Sequence, residues 1–310
     1  MDRVKNPCVL LMAYGAARSP EEIPAFLADV RGGRPPSESL IREFVERLRL
    51  VGGASPFHRI TGAQAEALAA RLAAAGGSLP VYVGMLHSEP RIAEAAARIA
   101  AAGHDAVIAM SLTPYDSGKV VDGYFERLDQ ALAGTGRPLR TERIRSWHDQ
   151  PGLLEAYAAS IRDAASRLPA AEREGTALLL TAHSMPQSWV SAGCPYPAQV
   201  AAAARGAAER AGFSRHTLAY QSRPDGVRDP WLGPEAAEEL RRLAGTGVRS
   251  VLVAPIGFVS EHMETLYDLD VLLQGEAAGL GLRFTRAATP NASAPLIAAM
   301  AEVVLGRLAA

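Results

Sequence analysis

The chain has 310 residues, and its 32 lysines and arginines against 33 aspartates and glutamates give a formal net charge of −1. A near-neutral balance argues against nucleic acid as the main partner, because phosphate binding requires a basic surface. Apolar residues make up 48% of the chain, which is typical of a globular protein and excludes a largely disordered one. The only cysteines, Cys8 and Cys194, exclude a disulfide framework and a cysteine-held iron–sulfur cluster.

Short apolar runs alternate with longer segments of helical period along the whole sequence. A run that is apolar on both faces is typical of a strand buried in a parallel sheet. The intervening segments, such as 90–102 and 234–244, contain helix-forming residues, with arginines and glutamates on one face. The eight runs lie at 8–14, 79–86, 105–112, 139–144, 176–182, 215–221, 248–255 and 281–287.

This alternation predicts a doubly wound α/β fold with two similar Rossmann-like halves, each a four-stranded parallel sheet flanked by helices. No flexible linker separates the two groups of four strands, since residues 151–168 have a helical pattern. We expect a first half at 1–145 and a second half at 146–288. The helix in the terminal segment 289–310 is expected to pack back on the first half.

Ligands of doubly wound sheets bind beyond the carboxyl ends of the strands, so the residues that follow the runs are candidates for a site. Tyr14 ends the first run, His183 follows the fifth, and the segment 255–270 begins at the end of the seventh. The imidazole of His183 suits a metal ligand or a proton acceptor. On position alone, a histidine that caps loop backbone is an equally good interpretation.

Acidic residues follow the seventh run. If the segment 260–272 is helical, Glu261, Glu264 and Asp268 share one face. If these acids are buried, they require a cation or must share protons. If the segment is a solvated amphipathic helix, they require neither, and both interpretations remain open. On such a helix, the side chain of His262 is expected to point away from the side chain of Glu264 and to form structural hydrogen bonds.

Five arginines cluster within residues 31–49, before Ser55, and any that face a crevice suit a ligand with several carboxylates. No glycine-rich nucleotide motif and no nucleophile elbow follows a strand. The sequence has neither a signal-peptide core nor an apolar run approaching the ~20 residues of a membrane helix, so we expect a cytoplasmic protein. The five arginines clustered within residues 31–49 are Arg31, Arg34, Arg42, Arg47 and Arg49.

Several motifs stand in collinear order over nearly the whole chain. They are MAYG at 12–15, VGGASP at 51–56, TAHSMP at 181–186, YQS at 220–222 with PWLGP at 230–234, and the segment 255–270. Together they resemble the ferrochelatase family. The stretches Gly257-Phe258-Val259 and Glu264-Thr265-Leu266-Tyr267-Asp268 are the most specific part of the resemblance.

The resemblance implies that two Rossmann-like halves clamp a porphyrin and insert Fe²⁺ into it. His183 and Glu264 match the family's metal-site pair and would remove the pyrrole protons, and Asp268 is a candidate relay. Tyr14 resembles the coproporphyrin III branch, in which the phenol ligates the metallated product. We therefore expect the protein to form Fe-coproporphyrin in haem biosynthesis, with porphyrin and Fe²⁺ as its partners. We expect no nucleic-acid partner and no integral membrane contact. We also expect a monomeric protein with no permanent cofactor and no iron–sulfur cluster.

By the same positional match, four residues would hold propionates or border the pocket: Arg31, Arg47, Ser55 and Tyr124. The sequence departs from the family pattern at Leu272, where an acidic row usually continues, at Leu48, where a tyrosine is common, and at 113–119, near Tyr124. A protoporphyrin IX ferrochelatase, a non-catalytic porphyrin or haem carrier, and a Co²⁺ or Ni²⁺ chelatase remain alternatives.

Overall fold

The computed structural model describes residues 6–76, 79–224 and 228–308. Its contacts divide the chain into two units. The first consists of Met1–Trp147 and Ile297–Ala310, and the second of His148–Leu296. Each unit contains a four-stranded, all-parallel sheet flanked by helices, so the predicted doubly wound α/β class is confirmed.

All eight predicted strands are present, within three residues of the predicted bounds. The first unit contains β1 (Pro7–Ala13), β2 (Val81–Met85), β3 (Ala106–Ser111) and β4 (Arg140–Ile144). The second contains β5 (Ala177–His183), β6 (His216–Gln221), β7 (Ser250–Pro255) and β8 (Arg283–Arg286).

Helices connect the strands in both units. In the first unit, a short 3₁₀ turn (Pro20–Glu22) precedes α1 (Ile23–Val30), α2 (Glu38–Leu50), α3 (Phe57–Ala74), α4 (Ile92–Ala101) and α5 (Lys119–Gly134). In the second, the helices are α6 (Pro151–Ser166), α7 (Ala170–Arg173), α8 (Gln187–Ser191), α9 (Tyr196–Ala211), α10 (Ala236–Gly245), α11 (Met263–Thr265), a π-helix (Leu266–Leu273) and α12 (Gln274–Gly279). The last helix is α13 (Ala294–Leu308). Across the described residues, none of the helices has the length and apolar character needed to cross a membrane.

The two sheets have the same strand order. The first is β2-β1-β3-β4 and the second is β6-β5-β7-β8. The winding direction therefore reverses beside β1 in one unit and beside β5 in the other, and ligands of such sheets bind at this switch point. Tyr14 directly follows β1, and His183 is the last residue of β5. Each unit thus presents one sequence-predicted residue at its switch point.

Helix packing on the second sheet fixes the segment that carries the acidic residues. Leu269 and Leu273 of the π-helix and Ala277 of α12 pack in one core with Leu240 of α10 and Val253 of β7. Fully burying a leucine side chain stabilises a fold by about 1.5–3 kcal/mol. The π-helix is therefore anchored along one side, and its preceding residues lie near the carboxyl ends of β5 and β7.

Candidate active site

His183 is held at both its ring and its backbone. Its Nδ1 donates a hydrogen bond to the carbonyl of Ser184, because a carbonyl oxygen can only accept. The Tyr196 hydroxyl donates to the His183 carbonyl at 2.9 Å, and the Phe258 ring lies edge-on to the imidazole with the ring centroids 6.2 Å apart. In the neutral ring Nε2 therefore carries the lone pair, as metal ligation or proton acceptance requires.

Glu264 faces that lone pair. Its Oε2 lies 3.8 Å from Nε2 of His183, and both side chains are a little over one-third exposed. The pair joins the end of β5 to α11, so residues distant in sequence meet at the switch point of the second sheet. The structure thus brings together the two residues that the resemblance assigns to the metal site.

His262 approaches the same carboxylate, with its Nε2 3.7 Å from Oε2 of Glu264. Our expectation that His262 points elsewhere was wrong, because it assumed a helical residue, whereas His262 is the extended N-cap of α11 (φ −152°, ψ 173°). Its Nδ1 lies 3.1 Å from the Thr265 hydroxyl, which is also 2.9 Å from Glu261 and from the His262 carbonyl. His262 is therefore held by Thr265 on its Nδ1 side and approaches Glu264 on its Nε2 side.

Glu261 does not share a helix face with Glu264, contrary to the prediction. The helix begins only at Met263, so Glu261 lies in the preceding loop and is nearly buried. Its carboxylate accepts hydrogen bonds from the Arg286 guanidinium at 2.7 Å, from the backbone N–H of Thr289 at 2.9 Å and from Thr265. Glu261 therefore has a structural role, and the cation that offsets its buried negative charge is the guanidinium of Arg286.

Arg286 joins Glu261 to the π-helix, because it also forms a two-point ion pair with Asp270 at 2.5 and 2.9 Å. Burial works to raise the pKa of Glu261, but Arg286 and the surrounding hydrogen bonds hold it below its ordinary value. Burial raises the pKa of Asp270 despite the same arginine. These ion pairs connect the loop before Glu264, the π-helix and β8.

Asp268 lies in the π-helix, where its carboxylate accepts a hydrogen bond from the Ser222 hydroxyl just beyond β6. A π-helical turn is rare and frequently marks a functional site. Leu272, four residues further on, is 52% exposed. The row of acids that the family pattern continues therefore ends at an exposed apolar side chain.

Two buried polar side chains beside His183 were not predicted. Thr181 lies two residues before His183 on β5, and Gln221 is the register partner of His183 on β6, so all three side chains share one face of the sheet. Thr181 is fully buried and Gln221 is 6% exposed. Neither the Thr181 hydroxyl nor the Gln221 amide has a hydrogen-bond partner among the described residues. No sequence pattern distinguishes such residues from ordinary strand positions.

Gly257 is required by close packing at the same strand end. A Cβ at this position would lie 2.7 Å from the Cα of Ala182 and 3.2 Å from the backbone nitrogen of His183. The backbone N–H of Gly257 donates to the Thr181 carbonyl at 3.1 Å. The loop after β7 thus rests directly on the backbone that carries His183.

In the first unit, Tyr14 is 36% exposed at the end of β1. Its ring meets the His87 ring edge-on, with the centroids 4.5 Å apart. Tyr124 has a different environment, because its side chain is only 1% exposed within the core of the unit. Burial raises the pKa of Tyr124 well above its ordinary value, although a hydrogen bond with Thr113 works to lower it.

The remaining predicted substrate contacts lie directly after α1, in α2 and in the loop that follows α2. Arg31 is exposed directly after α1. Arg47 forms an ion pair with Glu43 and lies over the Phe44 ring at 5.1 Å. Ser55 is half-buried, and its hydroxyl accepts a hydrogen bond from the backbone N–H of Phe57 at 3.4 Å. Substrate binding by these residues, and by Tyr124, stays a prediction.

Within residues 6–76, 79–224 and 228–308, no group of three or more histidine, cysteine, aspartate and glutamate side chains is arranged to hold a metal ion. The His183–Glu264 pair therefore provides only part of a coordination shell. Any ion that binds there must take its remaining ligands from elsewhere.

Comparison with solved structures supports a chelatase-type fold. SirB from Bacillus subtilis with Fe³⁺ superposes with a TM-score of 0.58, covering 99% of this chain and 96% of SirB at 11% identity. DR2241 from Deinococcus radiodurans, described as having structural similarity to chelatases, gives a TM-score of 0.57 over 96% of this chain and 55% of DR2241, at 16% identity. At these identities the likeness concerns the fold alone.

Sequence comparison defines the family. The ferrochelatase family model matches residues 6–308. The coproporphyrin III ferrochelatase of Geobacillus thermodenitrificans is 35% identical, covering 98% of this chain and 97% of the relative. The ferrochelatase of Thermus thermophilus is 37% identical, covering 96% of this chain and 98% of the relative. The chain belongs to the ferrochelatase family, which confirms the resemblance drawn from the motifs.

Proposed function

We propose that the protein inserts Fe²⁺ into coproporphyrin III to form Fe-coproporphyrin, with His183 and Glu264 as the reacting side chains. The observation that carries this proposal is the 3.8 Å approach of the His183 Nε2 lone pair to the Glu264 carboxylate. Lone pairs at this distance repel each other unless a proton or a cation lies between them. The pair therefore suits a reaction in which both a metal ion and protons pass through one place.

Metal insertion requires such a pair. Two pyrrole N–H bonds break, their protons leave the macrocycle, and four nitrogen–iron bonds replace the water ligands of Fe²⁺. His183 accepts a proton at Nε2 or ligates the incoming ion there, and the Glu264 carboxylate stabilises the resulting positive charge. Nε2 of His262 lies 3.7 Å from the same oxygen, and His262 is the proposed next acceptor for a proton from Glu264.

The partial protein ligand set fits a porphyrin substrate. The macrocycle supplies four nitrogen ligands, so the protein needs to hold the ion only until these nitrogens replace the water. A permanent site with three or four protein ligands would compete with product formation. The absence of such a cluster among the described residues is therefore compatible with transfer of the ion.

Coproporphyrin III is the proposed substrate because of Tyr14 and because of the relatives. The phenol of Tyr14 is exposed at the switch point of the first sheet, which supports its proposed role as a ligand of the metallated porphyrin. Arg31 and Arg47 offer guanidinium groups to propionates, of which coproporphyrin III has four. Five relatives with this substrate in their names are 32–35% identical to this chain. Asp268 is proposed as a relay for protons or hydrated iron.

The test is anaerobic incubation of the purified protein with Fe²⁺ and either coproporphyrin III or protoporphyrin IX, followed by loss of the free-porphyrin absorption bands. We expect faster metallation of coproporphyrin III. Preference for protoporphyrin IX would contradict the substrate assignment. A carrier would shift the spectrum of the bound porphyrin without metallating it, which would contradict the activity.

A further inference from the structure

An ion-paired histidine lies beside Tyr14 in the first unit. Nδ1 of His87 is 2.6 Å from Oδ2 of Asp29, and Nη1 of Arg91 donates to the same oxygen at 2.9 Å. Arg91 also donates to the Leu86 carbonyl at 2.8 Å. A carboxylate can only accept, so Nδ1 of His87 carries a proton, and Asp29 fixes both the tautomer and the rotation of the ring.

The fixed imidazole is in direct contact with the Tyr14 ring. The two rings meet edge-on with their centroids 4.5 Å apart, which is a favourable distance and geometry for an aromatic pair. The backbone N–H of His87 donates to the Tyr14 carbonyl at 2.9 Å. Phe26 of α1 packs edge-on against His87, with a centroid distance of 6.5 Å. His87 is therefore held by α1 and in turn confines Tyr14.

We propose that Asp29 and His87 are positioning residues for Tyr14, and that they hold its phenol oxygen where it ligates the iron of the metallated product. This inference rests on the proposed role of Tyr14. A tyrosine that is 36% exposed has rotamer freedom that ligation must remove. A neighbouring ring fixed by a charge-assisted hydrogen bond removes part of that freedom before the ligand arrives.

The placement of Asp29 adds a structural reason for the arrangement. Asp29 lies in the last turn of α1, whereas His87 and Arg91 belong to the connection between β2 and α4. The ion pair therefore ties α1 to the strand-end loop that borders Tyr14. If Asp29 and His87 served only to stabilise the fold, the ion pair would be needed but the contact between His87 and Tyr14 would not. A stabilising role and a positioning role therefore predict different results when Tyr14 is changed.

The experiment is a double-mutant cycle with ferric coproporphyrin III as the probe. In Asp29→Ala we expect the tyrosinate-to-iron charge-transfer band of the bound ferric porphyrin to weaken and its Kd to rise about tenfold, the equivalent of one good hydrogen bond. In a Tyr14→Phe background the same substitution should change the Kd by less than about twofold, because the group that it positions is absent. His87→Phe, which keeps a ring but loses the hydrogen bond, replaces Asp29→Ala if that variant does not fold.

Asp129→Ala is the matched control, because Asp129 forms a two-point ion pair with Arg143 in the same unit, at 2.7 and 2.8 Å. It should leave the band and the Kd unchanged. An undiminished effect of Asp29→Ala in the Tyr14→Phe background would overturn the inference, as would an unchanged band in Asp29→Ala. If Tyr14→Phe alone left the band intact, the ligand role of Tyr14 itself would fail, so the two failures are distinguishable.

Discussion

His183 and Glu264 meet with Nε2 of the histidine 3.8 Å from Oε2 of the glutamate, although one ends a strand and the other lies in a short helix. Both side chains keep enough exposure to reach a ligand. The hydrogen bond from Nδ1 of His183 to the Ser184 carbonyl leaves the Nε2 lone pair facing the carboxylate, and Nε2 of His262 lies 3.7 Å from the same carboxylate oxygen. Two imidazoles and one carboxylate therefore meet at the carboxyl end of β5.

Glu264→Gln tests whether the carboxylate is needed for its charge. The amide has nearly the same shape, so the fold should be retained, while the rate of Fe²⁺ insertion should fall about 10²–10⁴-fold. Stopped-flow absorbance of the free porphyrin under anaerobic conditions measures that rate. Glu276→Gln is the control. Glu276 forms an ion pair with Arg241 and lies in α12, beyond the π-helix that follows α11. Equal rates in the two variants would contradict the role of Glu264.

Arg286→Met tests the buried ion pairs beneath the site. Removing this cation leaves Glu261 and Asp270 without their buried partner, and we expect the free energy of unfolding to fall by about 3–5 kcal/mol. Arg283→Met breaks the exposed Arg283–Glu172 pair on the same strand and should cost less than about 1 kcal/mol. Urea unfolding of both variants measures the difference.

The effect of Arg286→Met should depend on pH. In the native protein the pKa of Glu261 is held below its ordinary value, so the stabilisation is fully present above the ordinary carboxylate range. It is lost as the pH falls through the lowered pKa. In the variant, burial without the arginine raises the pKa of Glu261, and protonation then relieves the cost. The stability difference from the native protein should therefore shrink between about pH 8 and about pH 4, and a difference independent of pH would count against this explanation.

Thr181→Val is expected to stabilise the protein. The Thr181 hydroxyl is fully buried without a partner among the described residues, and its replacement by a methyl group removes that cost, about 1 kcal/mol. The control is Thr176→Val just before the same strand, because the Thr176 hydroxyl donates to the Glu172 carbonyl at 2.8 Å and lies 3.0 Å from the Ser250 hydroxyl. That variant should be destabilised. A loss of stability in Thr181→Val as large as in Thr176→Val would show that Thr181 has a partner.

The two cysteines should differ in reactivity. Cys8 is fully buried in β1, and burial raises the pKa of its thiol to about 12, so little thiolate forms at neutral pH. Cys194 is half-buried. Iodoacetamide should modify Cys194 in the native protein and both cysteines after denaturation, as mass spectrometry of the intact chain would show. Rapid modification of Cys8 under native conditions would mean that β1 opens readily.

The sequence predicted the architecture well because eight apolar runs and the helical segments between them each depend on local pattern. It also placed His183, since the end of a buried strand can be recognised by its position. The start of α11 was missed because its N-cap is His262, whereas serine, threonine, aspartate and asparagine are the usual signals. The ion pair of Glu261 with Arg286 and that of Asp29 with His87 could not be predicted, because they depend on tertiary contacts between segments distant in sequence.

The most direct test is the rate at which His183→Ala metallates coproporphyrin III with Fe²⁺ under anaerobic conditions, measured beside its affinity for the metal-free porphyrin. If Nε2 of His183 ligates the ion or accepts the pyrrole proton, the rate should fall at least about 10²-fold while porphyrin affinity stays within about twofold of the native value. Full insertion activity in this variant would contradict the account.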